Sequence, residues 1–250
     1  MTGFEQALER EIIDVLIMGG TWNPNGEGVT ASFVDGLDRT RFRTRMIPYP
    51  ADYGSQVPFA ESLAAGRQAL LNAIEATPNR VVLAGYSQGA AIAGDVAAEI
   101  GRGLWPHLEI AACALIADPL RPVGQCLGED PGGYGVAGQR WIPFVPTYWV
   151  AAAGDPITAL PPGNALRLIA DLSAYFCMKS PAAMTRWGQS LIEVATHNRL
   201  QRWWSPRNWS TWAGVLAYAR GYLFDGRHTH DYVRLGHTAR LAETINREVA

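Results

Sequence analysis

The chain has 250 residues, of which 48% are hydrophobic and 18% charged, a composition typical of a folded globular domain and too apolar for a disordered segment. The net charge is −2 and the basic residues are scattered, which excludes nucleic acid as an expected partner. No window approaches the roughly 20 consecutive apolar residues of a transmembrane helix. Residues 1–10 lack the basic start and apolar core of a secretory signal, so we expect no export signal.

The first part of the chain alternates short apolar runs with a helical pattern. The runs over residues 12–18 and 81–84 are both followed by glycine, as is typical of buried parallel strands. Apolar residues at near-helical spacing over 63–74 predict a helix between them, which ends at Thr77-Pro78-Asn79. The predicted order is therefore strand, helix, strand.

Small residues after the second strand predict a helix from about residue 88 to 101 that packs closely on the sheet. Two further apolar runs, over 110–117 and 147–153, end in Asp118-Pro119 and in Gly154-Asp155-Pro156. Strands that alternate with helices in this way indicate a parallel α/β sheet.

The pattern changes between residues 161 and 225, where strand-like runs stop and helical periodicity takes over. Five of the nine tryptophans lie in this stretch: Trp187, Trp203, Trp204, Trp209 and Trp212. We interpret residues 161–225 as a helical insertion, or cap, and residues 1–160 with 226–250 as the main α/β domain. A last apolar pattern over 232–249 predicts a closing helix that packs back on the sheet.

The cysteines Cys113, Cys126 and Cys177 are odd in number and widely spaced. Such a set favours neither a disulfide framework nor a cysteine metal site, so free thiols are expected. The sequence predicts no metal and no cofactor.

Gly85-Tyr86-Ser87-Gln88-Gly89 lies between the second predicted strand and the helix that follows it. A G-x-S-x-G sequence in this context is typical of a nucleophile elbow, a sharp strained turn that presents a serine hydroxyl. We therefore predict that Ser87 is a catalytic nucleophile, the alternative being an ordinary glycine-rich turn.

A serine hydroxyl needs an imidazole to accept its proton and a carboxylate to orient that imidazole, and elbow enzymes present them in the order Ser, acid, His. Asp118 and Asp155 each follow a later strand, and we favour Asp155, which comes one strand further on. If Asp118 is not the acid, its expected role is to cap its own turn. For the base we predict His230, with His228 in the same loop as the alternative.

The oxyanion of a tetrahedral intermediate needs hydrogen-bond donors that already point at it. One expected donor is the backbone N–H of Gln88, the residue after the nucleophile. The second is expected in the loop after the first strand, from a backbone N–H or from the hydroxyl of Thr21, which lies beside Gly20 and Trp22.

These motifs resemble the lysin B family of phages that infect mycobacteria and their relatives. The resemblance rests on residues 84–90, on Asp118-Pro119-Leu120-Arg121, on Gly154-Asp155 and on His230-Asp231-Tyr232, with the helical insertion before the last of these. It implies a cutinase-like α/β-hydrolase fold with a central parallel sheet. It also implies a lipolytic serine esterase that cleaves the ester between mycolic acids and arabinogalactan during host lysis.

The same resemblance implies a protein made in the cytoplasm of the infected host and active at the cell envelope after release. Its implied substrate is mycolyl-arabinogalactan or another long-chain lipid ester, which suits a tryptophan-rich insertion, although those rings also suit the interior of a small helical cap. Two other hypotheses stay open. One is a secreted cutinase or lipase, although the three cysteines of this chain do not match the disulfide pattern of cutinases. The other is a non-catalytic envelope-binding protein with the same fold.

Overall fold

The computed structural model of the chain describes residues 11–164, 167 and 226–249. The strands in these ranges are β1 (Ile13–Met18), β2 (Phe42–Met46), β3 (Val81–Tyr86), β4 (Ala112–Ile116) and β5 (Thr147–Val150). The helices are α1 (Val29–Asp35), α2 (Phe59–Glu75), α3 (Gln88–Gly101), α4 (His230–Arg234) and α5 (His237–Glu248).

The strands form one parallel sheet in the order β2-β1-β3-β4-β5. The register sets Val15 beside Val82 and Leu83 beside Cys113. The chain runs outward from β1 to β2, returns to the other side of β1 as β3, and continues in that direction to β5. This reversal makes a topological switch point between β1 and β3, where open α/β sheets bind ligands beyond the carboxyl ends of their strands.

Both faces of the sheet are covered by helices. On one face Leu16 and Leu83 pack in a core with residues of α2 and α3. On the other face Val15 and Val82 pack with residues of α1 and α5. Every residue of β1 and β3 is buried, which is why these strands are mostly apolar runs in the sequence rather than alternating ones, with Asp14 in β1 as a buried charged residue.

The predicted α/β class with a parallel sheet is confirmed. The apolar runs correspond to β1, β3, β4 and β5, and the predicted helices correspond to α2, α3 and α5. The sequence did not predict α1, which has seven residues, or β2, an edge strand whose central residues are polar and exposed. The interpretation of 161–225 as a helical insertion, with its tryptophans and Cys177, falls outside the described residues except for 161–164 and Arg167.

The described ranges contain no helix that is both long and apolar enough to cross a membrane. In the same ranges no group of three or more His, Cys, Asp or Glu side chains is placed to hold a metal ion. Cys113 is a buried free thiol in β4, and Cys126 is a partly buried one.

Candidate active site

Ser87 occupies a strained turn between β3 and α3. Its backbone has φ 55° and ψ −117°, in the positive-φ region that residues other than glycine seldom adopt. The backbone N–H of Ser87 donates to the carbonyl of Ile116 over 2.9 Å, which anchors the turn to β4. The predicted nucleophile elbow therefore has the expected strand, turn and helix around it.

The two glycines of the elbow are needed because backbone approaches closely on both sides. A Cβ on Gly85 would lie 2.3 Å from the carbonyl oxygen of Gly89, and a Cβ on Gly89 would lie 2.2 Å from that of Met18. Neither space admits a side chain. The glycines thus let α3 start directly against the carboxyl end of β1, beside the switch point.

His228 connects Ser87 to Asp155. Its Nε2 lies 2.8 Å from Ser87 Oγ, and its Nδ1 lies 3.1 Å and 3.0 Å from the two carboxylate oxygens of Asp155. All three residues are buried, and Asp155 is fully so. This is the hydrogen-bond geometry of a nucleophile, a general base and the acid that orients the base.

The expectation that His230 faces Ser87 is corrected by this geometry, which brings the alternative, His228, to that position. His228 lies in the turn that begins at Gly226, whereas His230 is the first residue of α4 and is exposed. The ring of His230 lies back over the turn, with its Nδ1 2.6 Å from where a Cβ on Gly226 would stand. Two residues of separation across a turn are enough to direct the two rings differently.

Asp155, the favoured acid, follows β5 after residues 151–154 and lies in the predicted Gly-Asp-Pro turn. One of its oxygens also accepts a hydrogen bond from the backbone N–H of Ile157 over 2.9 Å, and the other accepts one from the hydroxyl of Tyr232 over 2.6 Å. Tyr232 is therefore a second side chain, besides His228, that is bonded to the Asp155 carboxylate, and the sequence did not predict this role for it. These donors stabilise a carboxylate that has no access to water.

Asp118, the alternative acid, is held away from His228 in a separate buried ion pair. Its carboxylate accepts hydrogen bonds from Arg140 over 2.7 Å and from the indole of Trp149 over 2.9 Å. It also accepts from the backbone N–H of Leu120 over 3.0 Å, which is the turn cap that the sequence predicted for it. Burial alone would lower the pKa of Arg140, but the carboxylates of Asp118 and Asp95 raise it, so the guanidinium stays charged.

Arg140 also anchors the elbow helix. Its guanidinium donates to the carbonyl oxygens of Ala90 and Ala91 in the first turn of α3. The buried pair of Asp118 and Arg140 therefore fixes the start of the helix that carries Gln88. No local pattern in the sequence pairs these two residues.

Two tyrosines stabilise the positions of His228 and Asp155. The hydroxyl of Tyr86 donates to the carbonyl of His228 over 2.6 Å, and the Tyr86 ring stacks on the imidazole with centroids 5.2 Å apart. The hydroxyl of Tyr232 donates to Asp155 and accepts from the backbone N–H of Ala152 over 3.2 Å. Burial raises the pKa of Tyr232 well above its usual value, so this phenol remains a donor.

The two residues predicted to supply the oxyanion donors are in contact through their side chains. Gln88 is the first residue of α3, so its backbone N–H has no partner within the helix. The hydroxyl of Thr21 donates to the side-chain oxygen of Gln88 over 3.1 Å. Because that bond uses the hydroxyl proton, a backbone N–H of the loop after β1 is the remaining candidate for the second donor.

Asp52 ties the loop after β1 to the elbow, a connection that the sequence analysis missed. The side-chain nitrogen of Gln88 donates to the carbonyl of Asp52 over 3.2 Å and to the hydroxyl of Ser62 over 3.1 Å. Burial alone would raise the pKa of Asp52, but hydrogen bonds from backbone N–H groups of Val57 and Gln56 lower it far below its usual value. In the sequence, the residues after Pro50 are typical of a turn, but a turn does not show which distant residue Asp52 contacts.

The sheet order, the elbow and the site at the carboxyl edge of the strands define the class: this is an α/β-hydrolase fold of the cutinase-like kind. Residues 43–131 match the PE-PPE domain family. A stretch of 77 residues is 40% identical to a protein of Corynebacterium glutamicum named carboxylesterase Culp6 homolog, and it covers 30% of this chain and 24% of that relative. The chain thus matches about a quarter of the length of this curated relative.

Among the solved structures similar to the chain are a phage protein and a fungal one. The crystal structure of lysin B from mycobacteriophage D29 has a TM-score of 0.52 at 20% identity, over 66% of this chain and 73% of that one. A cutinase-like protein from a Cryptococcus species has a TM-score of 0.48 at 24% identity, over 63% of this chain and 85% of that one. The likeness to lysin B supports the fold.

Proposed function

We propose that the chain is a serine carboxylic ester hydrolase in which Ser87, His228 and Asp155 form the catalytic triad. The observation that carries the proposal is the position of His228, whose two ring nitrogens lie within hydrogen-bond distance of Ser87 and of Asp155. In a buried serine, imidazole and carboxylate bonded in this order, the imidazole can take the proton of the serine hydroxyl and so activate it.

In the proposed reaction Ser87 Oγ attacks the ester carbonyl carbon while His228 Nε2 takes the hydroxyl proton. The carbonyl oxygen becomes an oxyanion that accepts hydrogen bonds from the backbone N–H of Gln88 and from a backbone N–H of the loop after β1. When the intermediate collapses, His228 returns the proton to the departing alcohol and an acyl ester remains on Ser87. Water activated by the same imidazole then releases the acid.

We further propose that the substrate is a long-chain lipid ester, with mycolyl-arabinogalactan as the specific candidate. The name of the Corynebacterium relative, a carboxylesterase homolog, supports ester hydrolysis. The mycolyl ester is the candidate because the motifs around Ser87 and Asp155 resemble those of the lysin B family. On this proposal the protein is made in the cytoplasm of an infected host and acts at its envelope after release, as an esterase of phage lysis.

Hydrolysis of p-nitrophenyl butyrate tests the reaction. The wild type should release p-nitrophenol, and Ser87→Ala should lose activity by about 10⁶-fold, as in other serine triads. Ser32→Ala, on α1 and bonded to Thr238 rather than to the site, is the control and should keep its rate. A folded Ser87→Ala variant that still turns over the ester would overturn the proposal.

The substrate proposal has its own test. Purified mycolyl-arabinogalactan, cutin and triacylglycerol are incubated with the wild type, and the released acids are identified by mass spectrometry. Preferential release of mycolic acids supports the envelope esterase, whereas preferential release of cutin or glyceride acids would assign the chain to the secreted lipase alternative. Binding to the envelope without release of any acid would favour the non-catalytic alternative.

A further inference from the structure

Trp22 is an exposed aromatic residue in a strained backbone conformation. It has φ 56° and is 68% exposed. Ala51, Ser87 and Ala117 also have positive φ, and all four residues follow carboxyl ends of the strands, at the edge that carries the candidate site. A bulky residue in this region is strained, and such strain concentrates at functional sites.

The exposed indole is nevertheless held in place. Its Nε1 donates to a carboxylate oxygen of Asp52 over 3.2 Å, and the backbone N–H of Trp22 donates to the carbonyl of Ala51 over 2.7 Å. Asp52 is only 4% exposed and also accepts hydrogen bonds from backbone N–H groups of residues 53 and 55–57. Trp22 is therefore a large apolar surface fixed at one edge and open to solvent on the other.

Trp22 lies in the loop that contacts the elbow of the candidate site. The residue before it, Thr21, contacts Gln88, and Gln88 follows the nucleophile. The polar edge of the indole faces Asp52, which leaves the hydrocarbon edge for a ligand. A rigid aromatic ring loses little conformational entropy when an apolar chain packs on it.

We propose that Trp22 is a specificity-determining residue that packs against the hydrocarbon chain of the ester substrate. This inference rests on the proposed esterase function and assigns it a preference for long apolar chains. The oxyanion donors would act on esters of every chain length, while the contact with Trp22 would form only when the chain is long enough to reach the indole.

The test compares p-nitrophenyl acetate with p-nitrophenyl decanoate, both below their critical micelle concentrations. Trp22→Ala should lower kcat/KM for the decanoate about tenfold, mainly through KM, because the lost contact covers roughly 60 Å² of apolar surface. The value for the acetate should stay within about twofold. Trp22→Phe keeps a ring but loses the bond to Asp52, and should remain close to the wild type on both esters.

Two further variants complete the design. Trp141→Ala is the matched control, because Trp141 is 70% exposed but its carbonyl lies against Arg102, which follows the end of α3 remote from Ser87. It should change neither rate. Trp22→Asn also removes the ring and suits a positive φ better than alanine, so it gives the same comparison if Trp22→Ala does not fold.

Several outcomes overturn the inference. Equal losses on acetate and decanoate would make Trp22 a positioning residue of the oxyanion loop, and no loss on either would remove it from the substrate path. A Trp22→Phe variant as impaired as Trp22→Ala would assign the effect to the hydrogen bond with Asp52. A loss seen only above the micelle concentration would indicate binding to a lipid surface. Failure of the proposed function is distinct, because the wild type would then hydrolyse neither ester.

Discussion

Replacing His228 with alanine should abolish ester hydrolysis and leave the fold intact. The substitution removes the only described imidazole within reach of Ser87, together with its bonds to Asp155. Loss of the base in other serine triads costs about 10⁴- to 10⁶-fold in kcat, and we expect the same range here. Initial rates with p-nitrophenyl butyrate measure this loss directly.

His228→Ala should affect the stability of the fold much less than it affects kcat. His228 is 6% exposed, so alanine leaves a cavity beside Tyr86, and Asp155 loses one donor. The carboxylate keeps its bonds from Ile157 and Tyr232, so it is not left unpaired. We expect a loss of about 1–3 kcal/mol in the free energy of unfolding, to be measured by denaturant titration.

His230→Ala is the matched control, since it removes an exposed histidine two residues away. It should retain activity within about twofold. The reasoning is refuted if His230→Ala loses as much activity as His228→Ala, or if a folded His228→Ala keeps more than about a tenth of the wild-type rate.

Three further predictions concern groups around the triad. Tyr232→Phe removes the hydroxyl bonded to Asp155 and should lower kcat about tenfold or more with little change in KM; an unchanged kcat would deny it a positioning role. The pKa of Asp52 is lower in the folded state than in the unfolded state, so the ionised carboxylate stabilises the fold. This contribution to the free energy of unfolding is complete above the unfolded pKa of about 3.9 and is lost as the pH falls toward the folded-state pKa. Denaturant titrations should therefore find Asp52→Asn about 2 kcal/mol less stable than the wild type at pH 7, a gap that narrows below about pH 4; a gap independent of pH would contradict this. Gly89→Ala places a Cβ 2.2 Å from the Met18 carbonyl and should prevent folding or abolish activity, so a stable, active variant would refute the close approach.

Much of the fold could be predicted because its central strands are local signals. β1 and β3 are buried on both faces and are therefore mostly apolar runs, which Asp14 alone interrupts. β2 could not be found in this way, because an edge strand with exposed Arg43 and Arg45 has no apolar run to mark it.

The same distinction holds for the candidate site, where local sequence marks some residues and not others. Ser87 was predictable because the elbow is contained within five consecutive residues, and Asp155 because it lies in the turn that ends an apolar run. The choice between His228 and His230 depends on how one turn directs each ring, which no periodicity encodes. The bond between Tyr232 and Asp155 joins residues 77 positions apart, so only the folded chain reveals it.

Labelling with a fluorophosphonate probe tests whether His228 activates Ser87, because only an activated serine reacts readily. Peptide mass mapping should find the probe on Ser87 in the wild type and in His230→Ala. Ser87→Ala should carry no label, and His228→Ala should react slowly. A folded wild type that stays unlabelled, or that carries the probe on a different serine, would contradict the account.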